Sequence, residues 1–191
     1  VSAQRVVVVG AGLGGLRAAE ALRAQGYVDE LVLVGDEPYA PYNRPPLSKE
    51  ALADEVAHDR LEFRRRASVD DVVWRLGETV TALDLDARTV ALGSEHLAWD
   101  ALVLATGVSA RRLPVPGPPP TAAAGRHVVR TLDDAVALRE ALRPGARVVV
   151  LGAGFIGCEV AATAVGLGCE VRSVALDPAP MVRPLGPLLA A

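Results

Sequence analysis

The amino-acid sequence predicts an α/β fold with parallel sheets and a small antiparallel sheet. The strongest observation is an internal repeat: RVVVVGAGLGGLRAAEALRAQG at residues 5–26 aligns without a gap with RVVVLGAGFIGCEVAATAVGLG at residues 147–168. Each copy contains a β-branched run, a glycine turn, an alanine-rich helical pattern and a final glycine, and an apolar strand follows it, LVLVGD or EVRSVAL. A strand, a crossover helix and a second continuous apolar strand indicate a parallel sheet that is covered on both faces.

The segment between the two copies begins with a different pattern. Residues 72–80 and 89–92 alternate apolar and polar side chains, which is typical of antiparallel strands. A turn through Asp84, Asp86 and Arg88 joins them. This part of the chain therefore predicts the small antiparallel sheet.

Three further elements precede the second copy. Residues 99–105 predict a buried strand that ends at an Ala-Thr-Gly sequence. Residues 113–125, LPVPGPPPTAAAG, contain too many prolines for helix or sheet, so they predict a linker or an exposed loop. Residues 131–142 predict an amphipathic helix that begins at Thr131, has two aspartates in its first turn and is closed by Pro-Gly.

These elements divide the chain into two predicted domains, with a boundary near Leu113. Residues 1–113 form the first segment of one nucleotide-binding domain, and residues 114–191 contain a linker and the start of a second, truncated domain. The chain opens on a valine instead of a methionine and stops shortly after a strand pattern. Both ends are therefore interpreted as cuts within a longer protein.

The composition favours a globular protein and limits the classes of partner. The chain has 191 residues, 51% of them hydrophobic, and a formal net charge of −3, so it lacks the basic surface that tracks nucleic acid. The run Arg64, Arg65 and Arg66 is the exception; a solvated helix face or loop is favoured over an anion-binding patch. Apolar runs are shorter than the roughly 18 residues of a membrane span, and no signal peptide pattern is present.

The cysteines and histidines suggest neither disulfides nor a metal site. Cys158 and Cys169 are too few for a secreted disulfide framework, which favours a reducing, cytoplasmic compartment. The three histidines show no metal-ligand spacing with one another or with the cysteines. Ser48 lacks the surrounding pattern of a nucleophile elbow, so hydrolase chemistry is not predicted.

The glycine turns carry the functional prediction. In the first copy Gly10, Gly12 and Gly15 form GxGxxG between a strand and a helix, and Asp36 follows the next strand. The first glycine permits the tight turn, the second lets a pyrophosphate approach the backbone, and the third brings the helix against the strand. The helix N-terminus then faces the phosphates, and Asp36 accepts hydrogen bonds from a ribose. This predicts a Rossmann-like dinucleotide site.

The second copy repeats this arrangement with Gly152, Gly154 and Gly157. Two such turns in one chain favour electron transfer, with a flavin adenine dinucleotide on one fold and a nicotinamide dinucleotide on the other. A duplication in which one site has decayed is the alternative.

The complete set of motifs resembles the N-terminal half of the FAD-dependent ferredoxin and rubredoxin reductases. This putidaredoxin reductase-like group belongs to the pyridine nucleotide-disulfide oxidoreductase superfamily and is related to apoptosis-inducing factor. The resemblance rests on VVVVGAGLGGLRAAEALR, LVLVGDEPYAPYNRPPLSKE, LVLATGVSARRLPVPG, TLDDAVALREAL and VVVLGAGFIGCEVAATA, which occur in family order. The PYxRPPLSK box is the most specific of these motifs.

The resemblance implies roles for particular residues. Arg44 and Lys49, the only lysine in the chain, lie along the flavin in such reductases, and Glu159 pairs with the lysine. A compact ammonium beside the ring would stabilise negative charge during hydride transfer, although one surviving lysine among nineteen arginines is also compatible with chance. The implied catalytic residues are Lys49 and Glu159. The remaining cofactor-binding positions are Gly14, Val80, Ala105, Thr106, Gly107, Arg111, Phe155 and Ile156, together with the glycines, Asp36 and Arg44 above.

The implied activity is transfer of hydride from NAD(P)H to FAD, then of electrons to a ferredoxin- or rubredoxin-type iron–sulfur protein, by a monomer or homodimer. Ala175 occupies the place where relatives carry an acid that binds the NADH ribose, and Asp177 follows two residues later, so the choice between NADH and NADPH stays open. The 191-residue chain itself is expected to bind FAD weakly and to turn over poorly.

Two alternatives remain. A thiol or disulfide flavoprotein reductase needs a cysteine near the first helix or just past the first ribose-binding acid, and no cysteine precedes Cys158. A flavoprotein switch like apoptosis-inducing factor would be reduced slowly and would form a long-lived reduced complex.

Overall fold

The computed structural model of the protein describes residues 4–111 and 121–189. The chain forms two compact units, each made of two stretches of sequence. Unit 1 comprises Val1–Asn43 and His58–Val108, and unit 2 comprises Arg44–Ala57 and Ser109–Ala191. The predicted boundary at Leu113 and residues 113–120 of the predicted linker lie outside the described residues.

Unit 1 is built on a four-stranded parallel sheet. Its strands are β1 (Arg5–Val9), β2 (Glu30–Gly35), β3 (Val73–Leu76) and β7 (Ala101–Leu104), in the order β3-β2-β1-β7, and helix α1 (Leu13–Ala24) connects β1 with β2. All three strand pairs are parallel. This confirms the predicted strand, crossover helix and strand of the first copy.

Both faces of β1 are covered. Val6 and Val8 pack in a cluster with Leu16 of α1, whereas Val7 and Val9 pack in a second cluster with Val90. Because successive side chains in a strand point to opposite faces, an unbroken valine run is what a strand with two covered faces requires.

The antiparallel sheet is confirmed, but one of its predicted strands was wrong. The sheet contains β4 (Val80–Asp84), β5 (Thr89–Leu92) and β6 (Glu95–Ala98), in the order β4-β5-β6. The prediction joined residues 72–80 into one strand, whereas β3 belongs to the parallel sheet. Gly77, with φ of +75°, separates the two strands, and its amide donates to the carbonyl oxygen of Glu37 at 2.9 Å. Strand β3 is an edge strand of the parallel sheet, next to β2.

The predicted turn between β4 and β5 is present. Asp84 Oδ1 accepts hydrogen bonds from the amides of Asp86 and Ala87 at 3.0 and 2.8 Å, and Arg88 adopts a positive φ of 51°. The third strand, β6, was not predicted. The predicted strand at residues 99–105 corresponds to β7, which is only partly buried, because Leu104 is 62% exposed.

Unit 2 contains the second repeat and residues 44–49 of the PYxRPPLSK motif, RPPLSK, which are called the proline box below. Its helices are α2 (Glu50–Ala53), α3 (Leu132–Ala141), α4 (Phe155–Gly166) and α5 (Val182–Leu185), and its parallel strands are β8 (Arg147–Leu151) and β9 (Glu170–Val174). A 3₁₀ turn at Pro45–Ser48 precedes α2. The unit's core is a cluster of Leu52, Leu138, Leu142, Val150, Val160, Ala164 and Cys169.

Helix α3 begins where the sequence predicts. Thr131 Oγ1 accepts a hydrogen bond from the Asp134 amide at 3.1 Å, and Asp134 Oδ2 accepts one from the Thr131 amide at 2.9 Å. This reciprocal capping box satisfies two amides that the helix itself leaves unpaired. Before it, Ala122–Ala124 forms a 3₁₀ turn.

Of the two settings predicted for the arginine run, a solvated helix face or a loop, the structure shows an exposed loop. Arg64, Arg65 and Arg66 are exposed and lie outside helices and strands. Arg65 pairs with Glu62 at 3.4 Å, and Arg66 lies 3.8 Å from Glu20. Within residues 4–111 and 121–189, none of the helices has the length and apolar character needed to cross a bilayer.

Candidate functional site

The two glycine turns have the same backbone geometry. Gly10 and Gly152 adopt φ of +111° and +109°, values that disfavour any residue with a side chain. The second glycines, Gly12 and Gly154, also match, with φ/ψ of −83°/−163° and −85°/−171°. The sequence repeat is therefore a repeat of conformation.

The third glycine of each turn allows a close approach of helix and strand. A Cβ atom on Gly15 would lie 2.0 Å from the Gly10 carbonyl oxygen, and one on Gly157 would lie 2.2 Å from the Gly152 carbonyl oxygen. A Cβ on Gly154, in contrast, would meet no atom within 4 Å. The second turn thus keeps open space at its middle glycine, where a pyrophosphate needs to approach the backbone.

Both helices that follow these turns begin without a side-chain cap. Gly12 and Gly154 are the N-cap residues of α1 and α4, and neither first turn contains an acidic residue. Amides and positive dipole at such an end favour an anionic group. These residues therefore fit the phosphates of a dinucleotide in each unit.

In unit 1 the Ala-Thr-Gly segment packs against the first turn. The Ala105 amide donates to the Val9 carbonyl oxygen at 2.7 Å. A Cβ on Gly10 would lie 2.1 Å from the Ala105 carbonyl oxygen. Gly14 lies close as well, since its Cβ would be 3.6 Å from Ala105 Cβ. Thr106 and Gly107 continue from this contact and are exposed.

Asp36 follows β2 at the same edge of the sheet. The Gly10 amide donates to the Val34 carbonyl oxygen at 2.7 Å, and Asp36 is exposed two residues later. The structure thus brings the first glycine turn, Asp36 and the segment Ala105-Thr106-Gly107 together at the carboxyl ends of parallel strands. Val80 begins β4 beside a β-bulge in the antiparallel sheet, and it packs against the core cluster that contains Val9 and Val34, the last valines of β1 and β2 before this edge.

The corresponding edge of unit 2 lacks a carboxylate at the equivalent positions. The Gly152 amide donates to the Val174 carbonyl oxygen at 2.8 Å, as Gly10 does to Val34 in unit 1. Ala175 and Leu176 follow Val174, and both are exposed. Asp177 is paired with Arg183, whose Nε lies 2.9 Å from its carboxylate.

Lys49 and Glu159 form an ion pair within unit 2. Lys49 Nζ lies 2.9 Å from Glu159 Oε2, and the two side chains are 40% and 33% exposed. Hydrogen bonds from Ser48 and then from Lys49 lower the pKa of the Glu159 carboxyl, although burial opposes this shift. Glu159 is therefore ionised and Lys49 has a fixed anionic neighbour.

Four further residues of unit 2 were predicted to contact a cofactor, and none of them belongs to the Lys49–Glu159 ion pair. Arg44 Nη1 donates to the Arg130 carbonyl oxygen at 2.6 Å. Phe155 and Ile156 are exposed in the first turn of α4, beside the open second glycine, and Arg111 is exposed at the end of a described stretch. Cys158 is half-buried and Cys169 is buried, and both are free thiols.

The sequence analysis did not identify Ser48 and Thr163 as neighbours of the Lys49–Glu159 ion pair. Ser48 Oγ lies 2.5 Å from Glu159 Oε2, and Thr163 Oγ1 donates to the Ser48 carbonyl oxygen at 3.0 Å. Two signals were available: Ser48 immediately precedes the lysine of the box, and Thr163 lies one helical turn after Glu159.

The sequence matches the pyridine nucleotide-disulphide oxidoreductase family over residues 4–191. It is 41% identical over 190 residues to the ferredoxin–NAD(+) reductase component of the biphenyl dioxygenase system of Paraburkholderia xenovorans, covering 95% of this chain and 44% of that protein. It is 38% identical over 188 residues to the rubredoxin–NAD(+) reductase of Pseudomonas putida, covering 97% and 48% of the two chains.

A crystal structure of the covalent putidaredoxin reductase–putidaredoxin complex superimposes with a TM-score of 0.82 at 37% identity, covering 94% of this chain and 44% of that one. The chain thus spans somewhat less than half the length of these relatives. Motifs, fold and relatives agree, which confirms the resemblance drawn from the sequence. The chain belongs to the pyridine nucleotide-disulphide oxidoreductase family, and the relatives described here are ferredoxin and rubredoxin reductases.

Proposed function

We propose that the chain is the dinucleotide-binding part of a flavoprotein that oxidises NAD(P)H and reduces a ferredoxin- or rubredoxin-type iron–sulfur protein. The observation that carries this proposal is the duplicated glycine turn, whose two copies share backbone angles and open helix N-termini. One binding site for each of two dinucleotides is what electron transfer between a nicotinamide and a flavin requires.

The first turn is assigned to FAD. Gly10, Gly12, Gly14 and Gly15 provide a backbone that a pyrophosphate can approach, and Asp36 accepts hydrogen bonds from the adenosine ribose. The proposed FAD set is completed by Arg44, Lys49, Val80, Ala105, Thr106, Gly107 and Arg111, which the family resemblance assigns to this cofactor.

The second turn is assigned to the nicotinamide dinucleotide. Gly152, Gly154 and Gly157 repeat the cradle, and the exposed Phe155 and Ile156 contribute the first turn of α4. We keep the assignment of residues 1–113 to the flavin domain and of residues 114–191 to the start of the nicotinamide domain. Arg44–Ala57, which carries the proline box, clusters with the second of these parts.

Lys49 and Glu159 are assigned to the reaction. When bound, NAD(P)H supplies a hydride, and FAD accepts its two electrons and passes them on singly. Lys49 supplies a compact positive charge where negative charge develops, and Glu159 restricts the position of that charge. Neither residue forms a covalent bond with the substrate.

A thiol-based mechanism is disfavoured by the position of the cysteines. Cys158 Sγ lies 3.5 Å from the Ala153 carbonyl oxygen beside the second turn, and Cys169 Sγ lies 3.4 Å from that of Arg143. The proposed reaction uses neither of these two thiols.

The test is anaerobic stopped-flow spectroscopy of the full-length protein. It should purify with a flavin absorbance spectrum, NADH or NADPH should bleach that absorbance rapidly, and a small iron–sulfur protein should restore it. A full-length protein that stays colourless after saturation with FAD would overturn the proposal. Slow bleaching with a long-lived reduced complex would favour a flavoprotein switch.

A further inference from the structure

Ser48 is a buried polar residue at the ion pair. Its side chain belongs to the proline box, and the residue is 4% exposed, whereas Lys49 beside it has a side chain that is 40% exposed. Buried hydroxyl groups need a hydrogen-bond partner, since an unpaired one loses its hydration without compensation. The partner of Ser48 is the Glu159 carboxylate, at 2.5 Å.

Ser48 and Lys49 reach the same oxygen atom. Glu159 Oε2 accepts from Ser48 Oγ at 2.5 Å and lies 2.9 Å from Lys49 Nζ. The second contact of Ser48 Oγ, to the Pro45 carbonyl oxygen, is longer at 3.4 Å. The carboxylate is thus anchored by a buried donor, and the ammonium is the partner that keeps access to solvent.

A second contact joins Ser48 to the same helix. Thr163 Oγ1 donates to the Ser48 carbonyl oxygen at 3.0 Å, and Thr163 lies one turn after Glu159 on α4. One face of this helix therefore holds both the side chain and the backbone of Ser48. Leu47 and Leu52, which flank the pair Ser48 and Lys49 in the sequence, are also buried. The backbone that carries Lys49 is fixed on both sides.

We propose that Ser48 is a positioning residue: its hydroxyl and carbonyl fasten the lysine-bearing box to α4, so that Glu159 holds the Lys49 ammonium in one place. Without the hydroxyl, the carboxylate would be held only by a long, half-exposed side chain, and partly exposed ion pairs lose much of their energy to side-chain freedom. This inference rests on the proposed function, because it assigns Ser48 to the same reaction.

The decisive experiment is a double-mutant cycle in the full-length flavoprotein, measured as the rate of flavin reduction at saturating nicotinamide. Ser48→Ala should slow reduction roughly tenfold, because misplacing a charged group costs rate without removing it. In the Lys49→Ala background the same substitution should have no further effect. Ser94→Ala, which changes an exposed serine of unit 1, is the matched control and should leave the rate unchanged.

Substitutions of Thr163 test the proposal independently of Ser48. Thr163→Val removes the hydroxyl that holds the Ser48 carbonyl and should slow flavin reduction, while Thr163→Ser keeps that hydroxyl and should restore most of the rate. A purely structural contribution of α4 packing would give the reverse order, because valine preserves the shape of threonine better than serine does.

A titration separates positioning from general stability. Ser48 donates to the ionised form of Glu159, so Ser48→Ala should raise the pKa of the Glu159 carboxyl, visible in its carbon NMR shift, and should move the acidic limb of the reduction rate to higher pH. An unmoved carboxyl titration, or an equal rate loss in both backgrounds, overturns the inference. If neither nucleotide reduces the wild type, the proposed function fails, and the part of Ser48 in the reaction fails with it.

Discussion

The Lys49 ammonium lies 2.9 Å from the Glu159 carboxylate, and it joins the proline box to the helix that follows the second glycine turn. The contact gives the chain's only lysine a fixed place within unit 2. Arginine carries the same charge but spreads it over a broad planar group. The substitutions proposed below are made in the full-length protein.

Lys49→Ala should slow flavin reduction by roughly 100-fold and leave the flavin content nearly unchanged, because the lost charge acts on the reaction more than on cofactor retention. The measurement is stopped-flow bleaching by NADH and NADPH, with the flavin-to-protein absorbance ratio as control. Lys49→Arg should recover only part of the rate. Unchanged reduction kinetics in Lys49→Ala would remove the assigned role.

Gly157→Ala should destabilise the protein by about 1–3 kcal/mol and abolish nicotinamide binding, because its Cβ would lie 2.2 Å from the Gly152 carbonyl oxygen. Gly166→Ala, in the same helix, is the matched control, since its Cβ would meet no atom within 4 Å. It should be neutral or stabilise by up to about 1 kcal/mol. Urea unfolding and nucleotide titration check both; equal effects would contradict the close packing of the turn.

Ala175→Asp should raise the ratio of kcat/KM for NADH to that for NADPH by roughly tenfold. The new carboxylate would accept hydrogen bonds from a ribose and repel a 2′-phosphate. Asp177→Asn is the control with the smaller expected effect, because Asp177 is already engaged by Arg183 at 2.9 Å. A ratio that stays constant in Ala175→Asp would place nicotinamide selection elsewhere.

Glu20→Gln should make the free energy of unfolding depend less on pH under acidic conditions. Glu20 is buried, which on its own raises the pKa of its carboxyl, but hydrogen bonds from Arg17 and the Arg66 amide outweigh burial and lower it. A lowered folded-state pKa stabilises the protein above the unfolded pKa, and this stability is lost as pH falls through the folded value.

Urea unfolding between pH 3 and pH 7, a window of about four units around the usual carboxyl pKa, tests this. The Gln variant should lose about 1–3 kcal/mol at neutral pH and show a weaker dependence on pH than the wild type. Glu30→Gln, at a surface pair with Arg5, should change neither quantity measurably. If the free energy of unfolding of Glu20→Gln falls with acidification as steeply as that of the wild type, the Glu20 carboxylate does not contribute this pH-dependent stability.

The elements that local chemistry specifies could be predicted from the sequence. The glycine turns were found because no other residue tolerates φ near +110° or the close approach at the third position. Helix α3 was found because Thr131 and Asp134 have the spacing of a capping box, which satisfies two amides at the helix start. These signals depend on neighbours in the chain, which a sequence displays directly.

Long-range contacts could not be predicted in the same way. The alternation of β3 fitted an antiparallel strand equally well, and only pairing with β2 decides its sheet. The importance of Ser48 depends on Glu159 and Thr163, which lie more than a hundred residues away in the chain. The clustering of Arg44–Ala57 with the second repeat likewise depends on core packing around Leu52.

The valine run of β1 has a consequence for folding. Because Val6, Val7, Val8 and Val9 are all buried, a shift of the strand by one residue would exchange equivalent side chains and cost little hydrophobic energy. Gly10 lacks that tolerance, since only a glycine there fits beside the Ala105 carbonyl oxygen. The first glycine turn, to which we assign FAD, therefore also fixes the register of the sheet, because a one-residue slip would move Gly10 away from the Ala105 carbonyl oxygen.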